Sequence, residues 1–135
     1  MFLYLLLAIV IALNTQEANM LKNGDFEIDT DGDGMADHWQ FSGDRGVVAD
    51  WSLDKGFNGK YSQKLNCTSY THISPASHAM LCQLNTVQLE KGKWYKLSFS
   101  AKQEGIKGRS IQVAISNTKS WSNCGLDESF RLSND

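Results

Sequence analysis

Strict alternation of apolar and polar residues marks the segment Trp94-Tyr95-Lys96-Leu97-Ser98-Phe99-Ser100-Ala101-Lys102. Its odd-numbered positions are all apolar, and the even-numbered positions after the initial tryptophan are Lys or Ser. Successive side chains of a β-strand point to opposite faces, so a period of two predicts a strand that buries one face. The other face is expected to meet solvent, as in an antiparallel sheet.

The same period recurs along most of the chain. In residues 110–116, Ile111, Val113 and Ile115 alternate with Gln112 and Ala114. Further short strands, separated by turn residues, are predicted at residues 39–42, 47–52, 62–68, 79–85 and 86–89. Several short strands without a convincing helix predict an all-β protein with an antiparallel β-sandwich of the jelly-roll type. Two sheets are expected because one sheet of this size leaves its apolar face uncovered.

The end of the sequence favours an incomplete sandwich. Phe130 and Leu132 alternate with polar residues, which indicates that a strand begins where the sequence stops. A sandwich without its closing strands exposes unpaired edges. We therefore expect residues 19–135 to be a C-terminally incomplete module, monomeric within a multidomain chain.

The start of the sequence predicts export. Residues 1–13 are apolar without interruption but lack Lys and Arg. A membrane-spanning helix needs about 20 residues, so this segment fits the core of a signal peptide within residues 1–18, cleaved after Ala12 or Ala18. No membrane insertion is expected after cleavage. The formal net charge of −2 gives no polycationic surface for nucleic acid.

Three cysteines leave the disulfide pattern open. Cys67, Cys82 and Cys124 form an odd set, which in an exported protein suggests one pair with a free thiol, or a partner outside this chain. A Cys67–Cys82 bridge and two buried reduced thiols fit the sequence equally well. Their spacing does not match a cysteine metal site.

Regularly spaced carboxylates lie between Asn23 and Trp39. Four of them match the first, third, fifth and ninth positions of a calcium-binding loop: Asp29, Asp31, Asp33 and Asp37. Gly34 falls at the sharp turn of that loop, and Met35 follows at the position that supplies a backbone carbonyl. Four like charges repel one another unless a cation neutralises them, so the spacing predicts bound Ca²⁺.

The match to an EF-hand has one departure. The twelfth position holds Gln40 instead of a bidentate Glu, and no amphipathic helix flanks the loop. A structural calcium ion is therefore favoured, with Glu27 or a further backbone carbonyl completing its ligands. The alternative is a solvated acidic turn, because Asp and Gly are ordinary turn residues.

The order of these motifs resembles the CenC-type carbohydrate-binding modules of families 4, 9 and relatives. The residues that carry the resemblance are 20–27, Trp39, 59–62, 89–102 and 113–116. The resemblance implies a galactose-binding-like jelly roll, and a non-catalytic module of an extracellular protein that is commonly attached to a glycoside hydrolase. It also implies a structural calcium near the first strand, where Glu27 ends the family's Asn-Gly-x-Phe-Glu opening. A closing strand with an Asp, usual in the family, is absent from this sequence.

Binding of poly- or oligosaccharide needs aromatic side chains that are exposed yet held in place. Trp94 fits, because it lies on the polar face of its predicted strand, although a sheet-edge tryptophan covered by a loop is the alternative. The further candidates are Trp51, Trp121, Tyr61 and Gln112. For Trp51 and Trp121 core packing is favoured over binding, and for Gln112 the default is a solvated amide.

The sequence also bears on two other classes of function, a glycosidase and an adhesion or spacer module. A glycosidase needs two carboxylates at a defined separation, and the only dense carboxylate cluster here is the predicted calcium loop. No nucleophile elbow and no zinc-protease motif occurs in the sequence. Catalysis within these residues is therefore disfavoured. A calcium-stabilised adhesion or spacer module without glycan binding is the remaining alternative.

Overall fold

The fold was analysed in a computed structural model, which describes residues 19–75, 77–105 and 110–131. The predicted signal peptide and Leu132 lie outside these ranges. The strands are β1 (Gln40–Ser42), β2 (Val47–Lys55), β3 (Tyr61–Tyr70), β4 (Met80–Cys82), β5 (Ile111–Ser116) and β6 (Asn123–Phe130). They form three antiparallel two-stranded sheets, β1–β4, β2–β3 and β5–β6. The all-β antiparallel class is thereby confirmed, and the arrangement is consistent with a β-sandwich.

The longest pairing is the β2–β3 hairpin, whose register runs from Val47 opposite Tyr70 to Lys55 opposite Tyr61. Directly opposed residues share a face, so one face carries Trp51 with Leu65 and its neighbours, and the other carries polar pairs such as Ser52 with Lys64. A register shift lies between Val48 and Ala49. Such a bulge increases the local twist of the hairpin.

Aromatic packing connects this hairpin to the β1–β4 sheet. Phe41 of β1 stacks on Trp51 of β2, with ring centroids 5.6 Å apart and planes 25° apart. Stacked aromatic rings at such distances stabilise a contact beyond the burial of their area. Trp51 therefore has one ring face covered, and 37% of the residue stays exposed.

The β5–β6 hairpin confirms the alternation predicted for residues 110–116. Ile111, Val113 and Ile115 are half-buried, whereas Gln112 and Ala114 are exposed. β6 covers Asn123–Phe130, so this strand ends at the phenylalanine where the sequence pattern indicated a beginning.

Residues 94–102 differ from their prediction, because the structure assigns no strand to them. Phe99 still contacts Phe130 of β6 edge-on, with ring centroids 5.9 Å apart. Residues 86–89 are likewise outside any strand. The alternating pattern specifies which side chains share a face, but a strand also needs a neighbour to hydrogen-bond with, and the pattern carries no information about that neighbour.

The three cysteines are free thiols in this structure, so the Cys67–Cys82 bridge is not formed in it. Cys67 and Cys124 are exposed, and Cys82 is half-buried. Burial raises the pKa of the Cys82 thiol, against a smaller lowering by a hydrogen bond with Gln40. Within the described ranges no helix has the length and apolar character that a membrane span requires.

A polar cluster fastens the turn between β1 and β2. The Asp44 carboxylate accepts hydrogen bonds from the hydroxyls of Ser74 and Ser77, both at 2.8 Å, and from the Gly46 N–H at 2.9 Å. Ser77 is buried, and its backbone carbonyl accepts a 2.8 Å bond from the Tyr70 hydroxyl. Partial desolvation raises the pKa of Asp44, but the hydrogen bonds outweigh it and hold the pKa below the ordinary 3.8.

Replacing Asp44 by Asn is therefore expected to destabilise the protein in a pH-dependent way. Because the carboxyl pKa is lower in the folded than in the unfolded chain, its contribution is present above pH of about 4 and is lost as the pH falls through the folded value. Urea unfolding at about pH 7 and about pH 3 should show a gap between wild type and Asp44→Asn that narrows in acid. Exposed Asp25→Asn is the control, and a gap for Asp44→Asn that is equal at both pH values contradicts the assignment.

Candidate functional site

A loop rich in carboxylates is closed at its base by Asn23. The side-chain oxygen of Asn23 accepts the Ile28 N–H at 3.1 Å, and its amide donates to the carbonyls of Ile28 and Asp37 at 2.7 and 3.1 Å. The Asp37 N–H in turn donates to the Ile28 carbonyl at 2.8 Å. Residues 28 and 37 are thus fixed side by side, and the carboxylates between them project from a closed loop.

Aromatic packing supports the same closure. The Trp39 indole N–H donates to the Asn23 carbonyl at 2.9 Å, and the Trp39 ring lies 4.9 Å from the Phe26 ring. Both Asn23 and Phe26 have positive φ, 47° and 61°. Such backbone is sparsely populated in residues with a side chain and persists where surrounding contacts impose it. The opening that resembles the family motif therefore forms a tight turn with Trp39 as its anchor.

Within the loop, Asp29, Asp31 and Asp33 each accept a backbone N–H from a residue that follows them. Asp29 accepts Gly32 at 2.9 Å and Gly34 at 3.1 Å, and Asp33 accepts Met35 at 2.7 Å. Gly32 and Gly34 have φ of 72° and 83°, a left-handed backbone that glycine adopts without a steric penalty. These bonds fold the chain inward and bring the side chains of the alternate aspartates together.

The structure brings three of the predicted ligands into one cluster. Carboxylate oxygens of Asp29, Asp31 and Asp33 all lie within 4.8 Å of one another, with Asp29 half-buried and the other two exposed. Oxygen atoms of several carboxylates at such spacing are the ligands that a hard divalent cation prefers. The donor set fits Ca²⁺ in type, and the cluster concentrates negative charge at one end of the loop.

The remaining predicted ligands have other partners. Both oxygens of Asp37 accept from Thr30, its backbone N–H at 2.9 Å and its hydroxyl, and these bonds lower the Asp37 pKa. Glu27 accepts the Tyr61 N–H at 2.9 Å. Met35 is buried, and with Asp31, Asp33 and Asp37 it borders an open hollow of about 280 Å³. Glu27 thus contacts the start of β3, and Asp37 lines the hollow together with Asp31 and Asp33.

Gln63, which the sequence analysis did not single out, joins the acidic loop to the β2–β3 hairpin. Its amide nitrogen donates to the Gly34 carbonyl at 2.9 Å and the Ser52 carbonyl at 3.1 Å, and its oxygen accepts the Ala36 N–H at 2.8 Å. Ala36 is fully buried. The signal for this role was a polar residue at an inward-facing position of β3, the position opposite Leu53.

Among the residues that the structure describes, Trp94 has the most exposed aromatic side chain, at 100%. It follows a turn in which the Lys93 N–H donates to the Glu90 carbonyl at 3.3 Å and Gly92 has a φ of 82°. The Tyr95 hydroxyl accepts the Glu90 N–H at 2.8 Å. This bond ties the chain on both sides of Trp94 to one point, so the indole is fully accessible while its backbone is restrained.

Trp121 lies in the loop between β5 and β6 and is 63% exposed, so it is not a core residue. The Asn117 side chain caps this loop by accepting N–H groups of Lys119 and Ser120 at 2.9 and 3.1 Å. The backbone N–H of Trp121 donates to the Asn117 carbonyl at 2.8 Å, and the φ of Trp121 is 58°. A bulky residue at positive φ is rare and strained, and such strain is concentrated at functional sites.

The other three candidates are less accessible. Trp51 lies in the middle of β2 against Phe41, and the half-buried Tyr61 begins β3 on the same face, with the Lys60 ammonium 4.5 Å from its ring centroid. Gln112 donates to the Asp127 carboxylate. The candidates therefore lie on three parts of the chain: the β2–β3 hairpin, the β5–β6 hairpin and the segment after Gly92. Phe57, which the sequence analysis did not consider, is 81% exposed at the tip of the β2–β3 hairpin.

Comparison with known protein families identifies the family of this chain. The family model described as carbohydrate binding domain, CBM_4_9, matches residues 18–126. The chain belongs to this family, as the motif order indicated. Its ligand class is therefore a saccharide. Searches among curated proteins and among solved structures found no match.

Replacing Gln63 by Ala is expected to loosen the acidic loop. The change leaves the buried Ala36 N–H and the Gly34 carbonyl without their partner, which costs about 1–3 kcal/mol of unfolding free energy. The measurement is urea unfolding, with Lys64→Ala as the control because Lys64 is an exposed neighbour on the same strand. Equal unfolding free energies for Gln63→Ala and Lys64→Ala contradict the role assigned to Gln63.

Proposed function

We propose that this chain is a non-catalytic module that binds polysaccharide by stacking a sugar ring on Trp94. The observation that carries the proposal is the complete exposure of Trp94 beside a turn held by Tyr95. Exposed large aromatic side chains are unfavourable in water, and in a carbohydrate-binding family their natural partner is the weakly polar C–H face of a pyranose ring. A restrained backbone adds to this, because less conformational freedom is lost on binding.

Trp121 is proposed as a second stacking position. Its exposure and its positive φ are supported by the Asn117 cap, which holds the loop in one shape. Trp51, Tyr61 and Gln112 are retained as secondary contacts: Trp51 offers the ring face that Phe41 leaves free, and Gln112 is exposed on β5. If both rings stack on one ligand, that ligand is an extended chain of sugars and not a single ring.

The context proposed for the module is an exported protein in which a glycoside hydrolase domain acts on the same polysaccharide. Family membership and the apolar residues 1–13 support this context. In such a protein the module is monomeric and concentrates the enzyme on its substrate, which raises the effective local concentration.

The acidic loop is proposed to bind a structural Ca²⁺ through the carboxylates of Asp29, Asp31 and Asp33. Their oxygens already lie within 4.8 Å of one another. The Met35 carbonyl is proposed as a further ligand, and Asp37 or Glu27 completes the set. Neutralising three close carboxylates removes their mutual repulsion, so the ion is expected to stabilise the loop. Sugar stacking on Trp94 is expected to be unchanged by the ion.

Trp94→Ala is expected to weaken polysaccharide binding by at least about thirtyfold, the effect of removing a dominant aromatic contact. Affinity electrophoresis against a panel of polysaccharides, followed by calorimetry on those retained, measures the change. Phe57→Ala is the matched control, because Phe57 is also a strongly exposed aromatic residue but has no proposed role. Trp94→Phe should keep part of the affinity.

If wild type binds no polysaccharide in the panel, the spacer or adhesion alternative replaces the proposal. If wild type binds and Trp94→Ala binds equally well, carbohydrate binding stands but the stacking position is wrong.

Added calcium is expected to raise the melting temperature of wild type, and EDTA to reverse the effect. At a hundredfold excess over the dissociation constant the stabilisation is about 2.7 kcal/mol. The double variant Asp31→Ala, Asp33→Ala should show no response, whereas Asp25→Ala, a carboxylate outside the cluster, should respond like wild type. Melting curves that do not depend on calcium in wild type rule the ion out.

A further inference from the structure

Charge is distributed unevenly along this chain. Residues 91–102 contain no Asp or Glu and carry four lysines: Lys91, Lys93, Lys96 and Lys102. Residues 25–37 contain six carboxylates and neither Lys nor Arg. The formal net charge of −2 therefore conceals one cationic and one strongly anionic segment. The cationic segment is the one that contains Trp94.

The lysines around Trp94 are accessible. All residues from 91 to 102 are exposed. Lys93 and Lys96 stand one and two residues from Trp94, so their Cα atoms lie within about 7.6 Å of the Trp94 Cα. The Glu90–Tyr95 hydrogen bond restrains the same stretch of backbone. Two exposed lysines thus flank, in sequence, a ring that is open on both faces.

The cationic segment also reaches the polar face of the β2–β3 hairpin. The pKa of Asp54 is lowered first by a hydrogen bond from the Lys55 N–H and then by the charges of Lys102 and Lys64. Lys102, the last lysine of the cationic segment, thus contributes to the electrostatics of Asp54 on β2, as does Lys64.

We propose that the polysaccharide bound at Trp94 is anionic, with carboxylate or sulfate groups that pair with Lys93 and Lys96 while a sugar ring stacks on the indole. The inference rests on the proposed function and narrows its ligand. A neutral glycan uses only the indole and leaves the flanking ammonium groups solvated. An acidic glycan uses both the exposed indole and the flanking ammonium groups, since charge-assisted hydrogen bonds to carboxylate or sulfate are stronger than neutral ones.

Charge complementarity and family membership together favour an anionic polysaccharide as the ligand of this segment. Other polyanions, such as nucleic acid or an anionic membrane surface, would meet the same lysines. The chain belongs to a carbohydrate-binding family, and its acidic loop repels a large polyanionic surface. The lysines next to Trp94 belong to a segment that contains no Asp or Glu, so a flexible glycan strand can bind there without meeting a carboxylate of that segment.

The test uses the intact chain and matched polymers: polygalacturonate against its fully methyl-esterified form, and a sulfated galactan against the same galactan after desulfation. We expect tighter binding to at least one anionic member than to its neutral counterpart, and a loss of that difference as salt rises from about 20 to about 500 mM. Lys93→Ala with Lys96→Ala should lower affinity for the anionic polymer roughly tenfold. Lys93→Arg with Lys96→Arg should retain it, and Lys22→Ala is the control for a distant exposed lysine.

Comparison of the two pairs of polymers shows whether carboxylate or sulfate groups are recognised. Thermal melts establish that each variant is folded. Equal binding of charged and neutral partners, with no effect of the lysine variants, overturns the inference and leaves the proposed function standing. Binding to no polysaccharide overturns both. Stronger binding to a single-stranded oligonucleotide or to phosphatidylserine vesicles than to any anionic glycan also overturns the inference.

Discussion

The attachment of the acidic loop to the β2–β3 hairpin through Gln63 is the interaction on which the described structure depends most. One carboxamide satisfies the Ala36 N–H and the Gly34 carbonyl of the loop and the Ser52 carbonyl of β2. Ala36 and its neighbour Met35 are among the few buried apolar residues in the described part of the chain. Buried backbone groups must find partners, so loop and hairpin become one unit at this point. The Asn23 side chain closes the same loop through separate hydrogen bonds to residues 28 and 37.

The sequence predicted the fold class and strand β5 well, because period-two alternation is a direct consequence of strand geometry. Ile111, Val113 and Ile115 show the predicted faces. The convergence of three carboxylates was also predictable, since aspartates at alternate positions around Gly32 and Gly34 have the spacing of a calcium-binding loop. The strand predicted at residues 94–102 was wrong in the described structure, because alternation cannot reveal whether a hydrogen-bonding neighbour exists. Gln63 was missed for a related reason: its importance comes from contacts 27 to 29 residues away in sequence.

The tryptophans show why composition alone does not identify a binding residue. Trp39 is held by the Asn23 carbonyl and the Phe26 ring, and Trp51 by Phe41. The Trp94 ring is fully exposed, and the residues on either side of it are joined by the Glu90–Tyr95 hydrogen bond, while the Trp121 backbone N–H bonds the Asn117 carbonyl. The sequence singled out Trp94 by its position on the polar face of a predicted strand and favoured core packing for Trp51 and Trp121. The four tryptophans differ in whether neighbouring side chains cover the indole ring or leave it exposed. Only an exposed ring offers a stacking surface.

The acidic loop and the lysine-rich segment around Trp94 carry charges of opposite sign. Carboxylates at Asp29, Asp31 and Asp33 repel anions over roughly the Debye length, about 8–10 Å at physiological ionic strength. The lysines beside Trp94 attract anions over the same range. For the proposed anionic ligand, this attraction favours encounter with the segment that carries the open indole over encounter with the acidic loop. In the proposed complex, stacking on Trp94 supplies the short-range contact, while electrostatic complementarity contributes to the rate and orientation of binding more than to its strength.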